Sequence, residues 1–146
     1  MYKKRDIEPK YRDFVDLLDF SNGKYNIGDV FRDFVCLFAI SLSNALLPDK
    51  SRENLYQSTL NKYEKKEMQI FPRLAVKLIE LLEKEGQPYD ILGDIFGQIG
   101  IGDKRLGQFF TPFNLSLMMG KMTAPKEITI KTHGKKYETF SEPACR

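Results

Sequence analysis

The stretch from Asp29 to Leu47 constrains this chain more than any other. Phe31, Val35, Phe38, Leu42 and Leu46 recur at i, i+4, i+7, i+11 and i+15, the spacing of one face of an α-helix. Val30, Phe34, Leu37 and Ala45 widen that face, so most of the helix circumference is expected to be covered by protein. Pro48 stops it. From Phe34 to Leu47 no side chain is charged, but Ser41, Ser43 and Asn44 interrupt the run. It is also shorter than the roughly 20 residues a membrane-spanning helix needs. The stretch predicts a buried core helix and no membrane segment.

The rest of the chain supplies partners for such a helix. Residues 1 to about 25 are polar apart from Phe14-Val15-Asp16-Leu17-Leu18, and Asp19 to Asn26 reads as a loop. Ser51 is placed to cap a helix from Arg52 to about Glu67, with Leu55, Tyr56, Leu60 and Tyr63 as its apolar edge. Pro72 falls in the first turn of a third helix. There Phe71, Leu74, Ala75, Leu78, Ile79 and Leu82 form one face, Arg73, Lys77, Glu80 and Lys84 the other, and Gly86 and Pro88 mark the end. Asp90 suits the N-cap of a short helix bearing Ile91, Leu92, Ile95 and Phe96, and Gly97 to Gly107 reads as a loop. After Thr111-Pro112, Leu115, Leu117, Met118 and Met122 give one more helical pattern before Pro125. Ile128-Thr129-Ile130-Lys131 and Lys136-Tyr137-Glu138-Thr139-Phe140 alternate around His133-Gly134, which predicts a β-hairpin or two short strands. The expected fold is mainly α: a helical bundle domain over residues 1–122, then a short β-hairpin or strands in 123–146.

Composition excludes several classes. The formal charge of +3 over 146 residues is too small to argue nucleic-acid binding alone. The N-terminus, Met1-Tyr2-Lys3-Lys4-Arg5-Asp6, leads into no apolar core of a secretory signal. Cys36 and Cys145 stand far apart and build no metal or disulfide framework, so a reducing cytoplasm is the expected compartment; Cys36 reads as a small core residue. His133 is the sole histidine, which excludes a multi-His metal site and leaves no Ser-His-Asp constellation. Gly93, Gly97, Gly100 and Gly102 lack the Gly-Lys-(Ser/Thr) of a phosphate loop. Lys62, Lys65 and Lys66 beside Tyr63 fit either a DNA phosphate contact or a solvated helix end.

Two strings carry more information. In Gly107-Gln108-Phe109-Phe110-Thr111-Pro112, Thr111 is placed as an N-cap and Pro112 as the first helical residue. The free N–H groups and positive end of the helix then face whatever lies in front. Phe109 and Phe110 would wall a ligand pocket or simply staple the helix start. The second string is Phe140-Ser141-Glu142-Pro143-Ala144-Cys145-Arg146. A strand running into an acid and a tight turn suits a nucleotide site at a sheet edge, where Glu142 would accept hydrogen bonds; read alone, it suits a solvated terminus equally.

Together, Gly-Gln-Phe-Phe-Thr-Pro and, about 30 residues on, Ser-Glu-Pro-Ala-Cys resemble the N6-adenine DNA methyltransferases, closest to the modification-subunit type of restriction–modification systems and its phage-borne relatives. Asp33-Phe34, Ala39-Ile40-Ser41-Leu42-Ser43-Asn44, Arg52-Glu53, Tyr56 and Asp90-Ile91-Leu92-Gly93 extend the resemblance over residues 26 to 145. It implies S-adenosylmethionine as cofactor, with Gln108, Phe109, Phe110, Thr111 and Pro112 on one side of its site and Glu142, Pro143, Ala144 and Cys145 beginning the other. It implies DNA, and a specificity or other restriction–modification subunit, as partners. Arg146 stands where that family continues Gly-x-Gly, and the family's (Asn/Asp)-Pro-Pro-(Tyr/Phe) catalytic motif does not occur. The chain is thus expected to be the truncated N-terminal portion of such an enzyme, with no catalytic residue of its own, and its unpaired C-terminal strands would favour self-association. The alternative is a non-catalytic helical interaction protein that binds a restriction–modification subunit or DNA.

Overall fold

A computed structural model describes residues 7–21, 23–86, 89–100, 111 and 113–123. The chain divides into two compact units, Met1–Phe110 and Thr111–Arg146. Six α-helices occur among the described residues: α1 (Arg12–Leu18), α2 (Ile27–Leu46), α3 (Lys50–Leu60), α4 (Ile70–Glu85) and α5 (Ile91–Ile99) in the first unit, and α6 (Phe113–Thr123) in the second.

Local chemistry sets where each helix begins. Asn26 accepts a hydrogen bond from the Gly28 N–H at 2.8 Å, so α2 starts ahead of the expected Asp29. Asp49, not Ser51, caps α3 by accepting from the Ser51 and Arg52 N–H groups at 2.8 and 3.0 Å. α3 also stops at Leu60, well before Glu67, because Tyr63 turns inward and is buried. Its ring meets Phe71 edge-on with centroids 4.9 Å apart. Pro72 lies in the first turn of α4, and Gly86 ends it at φ +64°, a left-handed conformation that costs glycine little.

The core of the first unit forms where α1, α2, α4 and α5 converge. Phe14 and Phe34 meet edge to face at 5.5 Å, and Phe31 of α2 packs 6.0 Å from Phe96 of α5. Leu74, Leu78, Ile91 and Ile95 are also fully buried. Burial along the α2 stripe fades: Phe31 is inside, Leu42 is exposed, and Leu46 is 83% exposed. The expected cover of α2 therefore reaches only as far as Ile40.

The expected β element is corrected. No strand occurs among the described residues, which are helical and connecting segments. The alternation that suggested a hairpin, residues 128–140, lies outside them. Alternation is a local signal, whereas a strand exists only by pairing. Among the described residues the fold is helical.

Candidate functional site

Of the nine residues implied to line a cofactor site, only Thr111 is among those described; it is exposed and lies two residues before the start of α6. Gln108, Phe109, Phe110, Pro112, Glu142, Pro143, Ala144 and Cys145 lie outside the described residues. Among the described residues, therefore, no two of the nine come together.

In the first unit the polar chemistry gathers in two tyrosine–carboxylate clusters. At the first, Asp94 of α5 accepts hydrogen bonds from the hydroxyls of Tyr11 (3.1 Å) and Tyr89 (2.6 Å). Lys10 lies over both rings, 4.7 and 5.1 Å from their centroids, and pairs with Glu85 at 3.0 Å. Glu8 and Gln98 exchange two hydrogen bonds of 2.9 Å. The segment before α1 is thus strapped to α5. Burial, reinforced by the negative charge of Asp94, pushes the Tyr11 hydroxyl up to about 12 against the opposing pull of Lys10.

The second cluster joins α2 to the turn between α3 and α4. Asp33 accepts from the Tyr63 hydroxyl at 2.8 Å and from Lys62 at 2.7 Å. Glu67 accepts from the Tyr25 hydroxyl and from Lys24, both at 2.8 Å, and Lys24 also reaches Glu64 at 2.6 Å. Burial, and then its bond to Asp33, raise the Tyr63 hydroxyl well above the ordinary tyrosine value. The Lys24 bond, and then the Glu64 backbone N–H, hold the Glu67 carboxyl below the ordinary glutamate range.

Of the basic–aromatic group at 62–66, Tyr63 is buried, Lys62 is paired with Asp33, and Lys65 and Lys66 are exposed. Four residues of the upstream resemblance, Ser43, Arg52, Asp90 and Gly93, make contacts that hold helices. The Arg52 guanidinium donates to the Ser43 hydroxyl and to the Leu47 carbonyl, locking α3 to the end of α2. Asp90 caps α5 through the Gly93 N–H at 2.8 Å.

The carboxylates in the clusters accept from hydroxyl, ammonium, amide and backbone N–H donors, an arrangement that pins segments together. No group of three or more His, Cys, Asp or Glu side chains able to hold a metal occurs among the described residues, and no described helix is long and apolar enough to cross a membrane. Sequence reading missed two of the pairings because the partners are distant: Tyr11 and Asp94 are 83 residues apart, and Tyr63 and Asp33 are 30 apart. No protein-family model, curated protein or solved structure matches the chain.

Proposed function

We propose that this chain is the N-terminal helical portion of an adenine-specific N6 DNA methyltransferase of restriction–modification type, which supplies part of the S-adenosylmethionine pocket and contacts to DNA or a partner subunit, acts in the cytoplasm, and is inactive alone. The observation that carries this reading is the paired strings Gly107–Pro112 and Ser141–Cys145. Thr111, exposed just ahead of α6, fits an accessible pocket wall. Phe109 and Phe110 would supply apolar surface to that wall, and Glu142 an acceptor for ligand hydroxyls. Bound S-adenosylmethionine supplies the methyl group, which goes to the amino group of an adenine flipped out of the duplex. The groups that hold adenine belong to a motif this chain does not contain, so its own residues bind and position but transfer nothing.

A second reading, a non-catalytic helical interaction protein binding a restriction–modification subunit or DNA, is favoured by apolar side chains left in solvent, Leu46 and Met122 above all. One experiment separates the two. The coding sequence beyond codon 146 is read, and the protein it encodes is tested for methyl transfer to adenine in DNA. A continuation through Gly-x-Gly and Asn-Pro-Pro-Tyr, with transfer that falls in Phe110→Ala, is expected; a frame that closes without them favours the interaction protein. The 146-residue chain should bind S-adenosylmethionine weakly or not at all by calorimetry, because a partial pocket leaves the ligand wet.

A further inference from the structure

We propose that α6 is a site of reversible methionine oxidation, with hydroperoxides as the oxidant class and Met122 the first residue modified. Leu115, Met118 and Met122 fall at i, i+3 and i+7 of α6 and so share one side of it. Met122 is 77% exposed, Met119 54% and Met118 50%. Met68 differs: it lies in the turn between α3 and α4, partly buried against the core of the first unit. Oxidation requires access to a sulfur lone pair, so exposure ranks the rates.

The chemistry closes without further partners. The thioether sulfur attacks one oxygen of the hydroperoxide; the S–O bond forms as the O–O bond breaks. The leaving oxygen takes up the proton and departs as water or an alcohol. Sulfur is oxidised by two electrons and the hydroperoxide is reduced by two. The product sulfoxide is polar and chiral, and sulfoxide reductases restore the thioether. Three such conversions turn the apolar side of α6 polar and leave the core around Leu74 and Phe34 unchanged.

The test treats the native full chain with hydrogen peroxide, quenches at intervals and maps tryptic peptides by mass. Lys121 separates Met118 and Met119 from Met122, and Met68 falls in the peptide Glu67–Arg73. Met122 should gain oxygen first, the peptide with Met118 and Met119 next, and Met68 roughly tenfold more slowly than Met122. In strong denaturant the rates should converge, and reductase treatment of the refolded chain should remove the added oxygen. Oxidation of Met68 as fast as Met122 in the native chain would overturn the proposal. So would an ordering that survives denaturation, which would mean that local sequence and not exposure sets the rates.

Discussion

Apolar side chains recur at helical spacing in both α4 and α6, but their burial differs. In α4, Phe71, Leu74 and Leu78 follow helical spacing and are buried, because α1 and α2 pack on that helix. In α6, Leu115, Met118 and Met122 follow the same spacing and remain exposed. Periodicity says which side of a helix is apolar. It does not say whether anything covers it. α2 makes the same point within a single helix, since its stripe passes from buried Phe31 to exposed Leu46.

The sharpest way to break this comparison is to make one substitution in both helices. Leu74 is 0% exposed and Leu115 is 44% exposed. Leu74→Ala removes buried apolar volume and leaves a cavity, and should cost about 2–5 kcal/mol. Leu115→Ala removes little buried surface and should stay within about 0.5 kcal/mol. Urea unfolding followed by circular dichroism measures both. An equal loss at Leu115 would mean that α6 is covered in solution and that the contrast is not real.

The next effect tests the polar strap of the first unit. Tyr11→Phe keeps the buried ring but removes one of the two hydroxyl donors to Asp94, at a cost of about 1 kcal/mol. It should also change the alkaline limb of stability. Folding raises the Tyr11 hydroxyl from the ordinary value of 10.0 to about 12, so the fold favours the neutral form. That contribution is complete below pH 10 and is lost as pH rises towards 12. Tyr63 shifts in the same direction, so the variant should retain a shallower alkaline decline. Unfolding midpoints measured from pH 8 upward test this, and a parallel displacement of the whole curve would show that Tyr11 is not titrating as the geometry implies.

How much of this was legible beforehand follows the range of each interaction. The helices α2 and α4 were readable from their spacing, and α5 because Asp90 announces it. The buried face was only partly so: Phe31, Phe71, Leu74 and Leu78 are inside, whereas Leu42, Leu46, Ile79 and Leu82 are exposed and Leu81 is buried in their place. The helix starts at Asn26 and Asp49 were misplaced because several polar residues compete at each start and only geometry selects the one that accepts the hydrogen bond. The early end of α3 depends on Tyr63 finding Phe71 and Tyr25, with ring centroids 4.9 Å away in each case, a tertiary preference with no local signature. For the candidate cofactor site, motif likeness marked nine positions, of which Thr111 alone is among the described residues. The cluster around Asp94 had no motif, and Asp33, Lys62 and Tyr63 were marked for other reasons than their pairing.

The smallest expected effect concerns the start of α5, where two local rules conflict. Asp90 accepts the Gly93 N–H at 2.8 Å, and a Cβ built on Gly93 would fall inside the Asp90 carboxylate. Asp90→Ala should cost about 1 kcal/mol through the lost cap. Gly93→Ala alone gains about 1 kcal/mol of helix propensity but displaces the same cap, so its net effect should be close to zero. Asp90→Ala removes the three atoms nearest the new methyl, and Gly93→Ala should then stabilise by about 1 kcal/mol. A double-mutant cycle reads this coupling directly. Additive effects would mean that the carboxylate moves aside without loss, and that the Asp90 cap contributes little to holding α5 against the strap.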